Sequence, residues 1–116
     1  MVSIVYLDDE VYLTDIFLCF FKEKGVDLTV FNDEFAAIEF CIANPPDILF
    51  VDFRLETLKG DEIAQRVPSQ IKKVLVTGDI QIDTRYEFDA LVAKPFRLAE
   101  LLDTVKLLSP GFEMAH

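Results

Sequence analysis

The sequence has few of the features that mark thiolate-metal, secreted or membrane proteins. Its two cysteines, Cys19 and Cys41, have no histidine or cysteine at ligand spacing, so we interpret both as small reduced core residues. No apolar run approaches the roughly 20 residues that a membrane helix needs. The start of the chain, Met1-Val2-Ser3, carries no basic segment ahead of an apolar one, which argues against a secretory signal and favours a cytoplasmic protein.

Basic residues are also scarce. The chain has 11 Lys and Arg against 21 Asp and Glu, a formal net charge of -10. Such a charge repels a phosphate backbone and argues against direct nucleic-acid binding. It does not exclude a phosphate site, because a nearby metal ion or lysine sets the local charge. The single histidine, His116, lies in segment 109–116, which we expect to be a C-terminal tail.

What the sequence does have is an alternation of strand and helix patterns. With 116 residues, the chain is long enough for one domain, which we place at residues 1–108. Short apolar runs predict five strands: Val2 to Leu7, Val26 to Phe31, Ile48 to Asp52, Lys72 to Thr77 and Ala90 to Ala93. Apolar residues at helical spacing predict four helices between or after these strands. They are Val11 to Lys24, a second helix that Asn32 or Asp33 caps, Asp61 to Val67, and Arg97 to Leu108. This order predicts an α/β fold with a doubly wound parallel sheet.

Polar side chains follow four of these strands at their C-terminal ends. They are Asp8 and Asp9, then Asp52, Thr77 and Lys94. Parallel strands present their C-terminal ends at one rim of the sheet, where ligands bind, so we expect these groups to converge. Three adjacent carboxylates repel each other unless a cation is present, and oxygen ligands suit Mg²⁺. A bound phosphoryl group would then receive a hydrogen bond from Thr77 and a positive charge from Lys94.

Each residue also has a simpler explanation. Asp8 and Asp9 could cap a helix, Asp52 could end a strand in a turn, Thr77 could precede a turn at Gly78, and Lys94 could be a solvated surface lysine. These explanations would have to hold at four strand ends together. Their combination is therefore much less favoured than a shared site.

The arrangement resembles the receiver domain of bacterial two-component response regulators. The resemblance covers Val2 to about Leu108 and depends on a combination of motifs: Asp8-Asp9, Asp52 with Gly60, Thr77-Gly78, and Lys94-Pro95-Phe96. It implies a flavodoxin-like five-stranded sheet with strand order 2-1-3-4-5. It also implies that Asp52 accepts a phosphoryl group from a phosphohistidine, acting as the nucleophile.

The resemblance assigns roles to the other site residues as well. Asp9 and Asp52 would bind Mg²⁺ directly, and Asp8 would act mainly through water. The carbonyl of Arg54 would complete the protein ligands of the metal. Thr77 and Lys94 would bind the phosphoryl oxygens, and the peptide bond before Pro95 would be cis. The implied partners are a sensor histidine kinase or histidine phosphotransfer protein and a separate output partner.

The sequence departs from the family pattern in its last third. Only 16 residues lie between Thr77 and Lys94, fewer than usual, so we expect the helix between strands four and five to be short or missing. Leu91 stands where the family usually has Tyr or Phe, which puts the usual threonine-to-aromatic switch in doubt. The sequence does not decide whether the protein forms a homodimer. A short helix here would remove part of the surface through which family members commonly dimerise.

Three classes of function remain. The favoured one is a single-domain receiver, which is not an ordinary enzyme because it only phosphorylates and dephosphorylates itself. The second is a pseudo-receiver that binds proteins independently of phosphorylation. The third is a Mg²⁺-dependent aspartyl phosphatase, which would usually have an acid two residues after the nucleophile, where this chain has Arg54.

Two hypotheses concern the surface. Val11, Tyr12, Leu18 and Cys19 lie off the main apolar stripe of the first helix, so they could offer an apolar strip to a partner helix. Arg54 and Asp79 occupy the two positions thought to tune hydrolysis in this family. They could pair across the site as a lid.

Overall fold

Strands and helices alternate along most of the described chain. A computed structural model describes residues 1–78 and 86–112. The strands are β1 (Val2–Leu7), β2 (Val26–Phe31), β3 (Ile48–Asp52), β4 (Lys72–Thr77) and β5 (Ala90–Ala93). The helices are α1 (Val11–Phe21), α2 (Glu34–Ala43), α3 (Gly60–Arg66) and α4 (Leu98–Leu108). None of these helices has the length and apolar character that a membrane crossing requires.

The five strands form one sheet in the order β2-β1-β3-β4-β5, and every neighbouring pair is parallel. This confirms the predicted topology. The central strand β3 is buried over its whole length. Because successive side chains of a strand point to opposite faces, Ile48 and Phe50 join one core cluster while Leu49 and Val51 join the other. The first cluster also contains side chains of α1 and α4, and the second those of α2 and α3.

Helix α1 is shorter than the sequence predicts. The sequence predicts a helix from Val11 to Lys24, but the helix ends at Phe21, the last apolar residue of the pattern. The backbone leaves helical geometry at Lys22, whose ψ is 126°, and Glu23 follows with a φ of 59° in the left-handed region, which turns the chain away from the helix axis. Gly25 has a φ of 83°, as a glycine stop predicts, and leads from this turn into β2.

The prediction that both cysteines are buried is wrong for one of them. Cys41 is buried, whereas Cys19 is exposed on α1. Ile16 is 38% exposed, although it follows the same helical spacing of apolar residues as the buried Phe17 and Phe21. Helix α1 is apolar around most of its circumference, so periodicity alone does not identify the buried face. The proposed strip lies at the surface, with all four members exposed: Val11, Tyr12, Leu18 and Cys19.

The connection between β4 and β5 is described only in part. Residues 79–85 lie outside the described ranges, and the predicted short or missing helix falls on them. Next to β5, the Asp89 carboxylate accepts a hydrogen bond from Lys73 N at 2.7 Å, and Asp89 N donates to Lys73 O at 2.8 Å. Lys73 Nζ donates to Pro68 O at 3.1 Å and lies 5.4 Å from the ring centre of Tyr86. These contacts align the start of β5 with β4.

The residues after α4 return to the core. Ser109 N donates to Val105 O at 2.8 Å, and Phe112 is buried in the first cluster. His116 lies outside the described residues.

Candidate functional site

The predicted residues meet at the C-terminal rim of the sheet. Asp8 follows β1, Asp52 ends β3, Thr77 ends β4 and Lys94 follows β5. Asp52 and Thr77 are buried, and Lys94 N donates to Thr77 O at 2.8 Å, which aligns the ends of β4 and β5. The convergence follows from parallel strands alone, because each strand ends at the same edge.

Three carboxylates form the acidic part of the site. One oxygen each of Asp8, Asp9 and Asp52 can be chosen so that all three lie within 4.8 Å of one another. Asp8 is fully buried, Asp52 is 5% exposed, and Asp9 is exposed. The site therefore has an open side at Asp9 and a closed side at Asp8.

Lys94 joins two of these carboxylates. Its Nζ lies 2.9 Å from Asp8 Oδ2 and 3.1 Å from Asp52 Oδ1. Burial would lower the pKa of Lys94, but the hydrogen bond to Asp8 and the charges of Asp52 and Asp8 outweigh it and raise the pKa. Lys94 is therefore held as a cation. The bond between Lys94 and Pro95 is cis, as the resemblance implied.

The carboxyl of Asp52 titrates far above its usual range. Burial and the charge of Asp8 raise its pKa from 3.8 to about 6, although Lys94 opposes them. Burial and Asp8 also raise the pKa of Asp9. One lysine therefore does not balance three carboxylates, and a further cation would relieve the repulsion between them.

Tyr6 is a site residue that the sequence reasoning missed. Its hydroxyl donates to Asp8 Oδ2 at 2.6 Å from inside the core. A signal was available, because residues two apart in a strand share a face and a buried tyrosine hydroxyl needs a partner.

Backbone and amide donors hold the loop after β1. Glu10 N donates to Asp8 Oδ1 at 3.0 Å, and Asn32 Nδ2 donates to Asp8 O at 2.8 Å and to Thr14 Oγ1 at 3.1 Å. Asn32 therefore supports the site, while Asp33 caps α2 by accepting from Phe35 N. The helix cap of α1 is Glu10, so capping does not explain Asp8 and Asp9.

The loop after β3 forms another wall of the site. A cleft of about 340 Å³ is lined by Glu10, Asp52, Arg54, Thr77, Gly78 and Lys94. Gly60 N donates to Phe53 O at 2.9 Å, and a Cβ on Gly60 would lie 2.8 Å from Asp52 O. The glycine is thus required by close backbone approach. Arg54 stands at this wall, whereas Asp79, its predicted lid partner, lies outside the described residues.

Comparisons with known proteins agree on the architecture. No protein-family model matches the sequence. A CheY-like response regulator receiver domain protein from Methanospirillum hungatei is 19% identical, covers 95% of each chain and has a TM-score of 0.86. Chemotaxis protein CheY4 of Vibrio cholerae is 15% identical, with a TM-score of 0.79 over 93% of this chain and 98% of that one. A CheY-like receiver domain from Methylobacillus flagellatus is 17% identical, with a TM-score of 0.83 over 94% and 99%.

The chain has the CheY-like receiver fold. Within that fold the donor set at the rim suits Mg²⁺, because it consists of carboxylate oxygens that lie close together and repel each other. Asp9 is exposed and Asp52 lines the cleft, whereas Asp8 is fully buried and pairs with both Lys94 and Tyr6. The residues present thus fit the metal that the receiver fold implies.

The receiver fold also fixes the position of Leu91. This side chain is 60% exposed on the edge strand β5, three residues before Lys94. Its position is the one at which the family usually has an aromatic residue. At this position the chain therefore presents a leucine side chain to solvent in place of an aromatic ring.

Proposed function

We propose that this chain is the phosphoacceptor receiver of a two-component or phosphorelay system. The observation that carries the proposal is the pairing of Asp52 with Lys94 beside two further carboxylates. In the reaction, an Asp52 carboxylate oxygen attacks the phosphorus of a phosphohistidine. The new O–P bond forms as the P–N bond breaks, and the electron pair returns to the imidazole nitrogen, which is reprotonated. The product is an acyl phosphate on Asp52.

Each residue has a role in that step. Ionised Asp52 is the nucleophile, and a pKa of about 6 leaves it mostly ionised at pH 7. Lys94 binds a phosphoryl oxygen with its ammonium, and Thr77 binds another with its hydroxyl. Mg²⁺, when bound, neutralises charge on the phosphoryl oxygens. Asp9 and Asp52 would hold it directly, with Asp8 acting through water and Arg54 through its carbonyl.

The proposed partners follow from this chemistry. A sensor histidine kinase or a histidine phosphotransfer protein supplies the phosphoryl group in the cytoplasm, and a separate output protein binds the phosphorylated form.

The strip of Val11, Tyr12, Leu18 and Cys19 begins next to the cleft residue Glu10 and is exposed. We assign this strip to the helical phosphodonor, which must bring its phosphohistidine to the same rim.

The strip can be tested by comparing two donors. In Leu18→Glu, phosphorylation by a phosphorylated histidine phosphotransfer domain should slow at least tenfold, whereas phosphorylation by acetyl phosphate should not change. The matched control is Leu107→Glu, which places the same charge at an exposed leucine of α4. Equal rates for Leu18→Glu and Leu107→Glu with the protein donor would contradict this assignment.

The phosphoacceptor itself is tested by intact mass. The protein is incubated with Mg²⁺ and acetyl phosphate, with Asp52→Asn as the control. A gain of one phosphoryl group that disappears in the variant and under chelation supports the proposal. No gain by the folded protein in the presence of Mg²⁺ contradicts it.

A second candidate is the pseudo-receiver, which binds its partner without phosphorylation. The exposed Leu91 favours it, because a leucine lacks the hydroxyl or ring through which the family's aromatic residue responds to phosphorylation. The same mass experiment distinguishes the two candidates. A protein that folds, binds Mg²⁺ and takes up no phosphoryl group is a pseudo-receiver.

A further inference from the structure

The hydroxyl of Tyr6 is aimed at the site by a rigid setting. The side chain is fully buried and its ring stacks on Phe17, with ring centres 4.2 Å apart. Phe96 meets the same ring edge-on at 6.2 Å. The ring therefore has one orientation, and its hydroxyl reaches Asp8 Oδ2 at 2.6 Å.

Hydrogen-bond donors occupy most of the acceptor sites of the Asp8 carboxylate. Glu10 N donates to Oδ1 at 3.0 Å, while Tyr6 and Lys94 both approach Oδ2. A carboxylate offers about four acceptor sites, so about one remains. Tyr6 and Lys94 thus share one oxygen of a carboxylate that has no access to solvent.

This sharing matters when Lys94 changes partner. A phosphoryl group on Asp52 presents new oxygens to Lys94, and any turn of the ammonium towards them takes it away from Asp8. A buried charged oxygen left without a donor is costly. The Tyr6 hydroxyl stays within hydrogen-bond distance of Asp8 Oδ2 because its ring is fixed.

We propose that Tyr6 is a positioning residue that keeps Asp8 satisfied and so frees Lys94 to bind the phosphoryl group. The inference rests on the proposed role of Asp52 as phosphoacceptor. Without the hydroxyl, Asp8 relies on Lys94 alone at Oδ2 and holds it more strongly. Binding of the phosphoryl group then weakens, while binding of Mg²⁺ does not, because one acceptor site on Asp8 has been released.

The test is Tyr6→Phe, which keeps the ring and removes only the hydroxyl. Mg²⁺ affinity and affinity for beryllofluoride, a mimic of the phosphoryl group, are measured separately by calorimetry. We expect the Kd for beryllofluoride at saturating Mg²⁺ to rise about tenfold, as for loss of one hydrogen bond to a charged group. The Kd for Mg²⁺ should stay equal or fall. A parallel loss of both affinities, or no change in beryllofluoride binding, would overturn the inference.

Two further variants separate positioning from a general effect on the fold. Tyr86→Phe makes the same chemical change against Lys73, near the opposite end of β4, and should alter neither affinity. In a Lys94→Met background the hydroxyl has no ammonium to release, so adding Tyr6→Phe should cause no further loss of beryllofluoride binding. Additive losses in this double-mutant cycle would contradict the coupling.

A measurement on the unmodified protein covers the case in which Tyr6→Phe does not fold. The buried hydroxyl proton of Tyr6 should give a slowly exchanging NMR resonance that persists when Mg²⁺ and beryllofluoride bind, and its loss would overturn the inference.

Failure of the proposed function can be distinguished from failure of this inference, because the wild-type protein would then bind no beryllofluoride at all. That result would remove both proposals, whereas binding by the wild type with no effect of Tyr6→Phe removes only this one.

Discussion

Lys94 Nζ lies 3.1 Å from Asp52 Oδ1, so the candidate phosphoacceptor is paired with a cation supplied by the chain itself. Lys94 is nevertheless outweighed, first by the burial of Asp52 and then by the charge of Asp8. Burial and Asp8 raise the pKa of Asp52 to about 6 in spite of Lys94. The charge balance at this rim therefore depends on Lys94 and is sensitive to its removal.

Replacing Lys94 by Met should raise the pKa of Asp52 above about 6. Lys94 lowers that pKa through its charge and through its hydrogen bond, and methionine offers neither. The measurement is an NMR titration of the side-chain carboxyl carbons without Mg²⁺. Lys72→Met, which removes an exposed charge at the start of β4, is the control and should leave Asp52 unchanged. A lower or unaltered pKa in Lys94→Met would contradict the proposed balance.

Asp52→Asn should stabilise the metal-free protein, and the gain should depend on pH. The folded-state pKa lies above the unfolded value of 3.8, so ionisation of Asp52 favours the unfolded chain as pH rises from about 4 to about 6. Below pH 4 the carboxyl is neutral in both states and the variant gains nothing. The pKa difference sets an upper bound of about 3 kcal/mol, and screening in the open cleft reduces this to about 1–2 kcal/mol at pH 7.

Urea unfolding of Asp52→Asn and wild type across this pH range tests the expectation. Groups that do not interact with Asp52 titrate equally in both proteins and cancel in the difference, and Lys94, whose pKa is raised above 10.5, stays charged over this pH range. Millimolar Mg²⁺ should reduce the difference in free energy of unfolding between the two proteins at pH 7. The wild type keeps the Asp52 carboxylate as a ligand, so bound Mg²⁺ stabilises it more than it stabilises Asp52→Asn. A gain that is constant from pH 4 to pH 7 would show that Asp52 is not the titrating group.

Gly60→Ala should destabilise the loop next to the phosphoacceptor. The new Cβ would lie 2.8 Å from Asp52 O and 3.1 Å from Phe53 Cα, and these are backbone atoms that must move to admit it. We expect a loss of about 1–3 kcal/mol in the free energy of unfolding, as for other overpacked sites. Gly111→Ala is the control, since nothing lies within 4 Å of its Cβ position. If both variants are equally stable, the close approach at Gly60 is not a constraint.

The site and the fold differed in how far they could be predicted. The strand bounds and the meeting of Asp52, Thr77 and Lys94 follow from apolar runs that each end in a polar residue, because parallel strands end at one edge. The buried face of α1 could not be predicted, since its apolar residues surround most of the helix. Tyr6 was missed although its place two residues before Asp8 was a signal, and Glu34 was missed because its partners in the loop after β3 are 23 and 24 residues away in the sequence.

Glu34→Ala should loosen the loop that carries Arg54. The Glu34 carboxylate is buried at the start of α2 and accepts hydrogen bonds from the backbone N–H groups of Thr57, at 2.9 Å, and of Leu58. Alanine would leave both donors without this partner, at a cost of about 2–4 kcal/mol in the free energy of unfolding.

Urea unfolding and hydrogen exchange of the Thr57 and Leu58 amides provide the measurement. Both amides should exchange faster in Glu34→Ala than in the wild type. Glu39→Ala removes an exposed carboxylate from the same helix and should change neither stability nor exchange by a comparable amount. Because the loop joins β3 to Gly60, loosening it should also weaken Mg²⁺ binding if the Arg54 carbonyl is a ligand. Slow exchange retained at Thr57 and Leu58 would mean that the loop is held without Glu34.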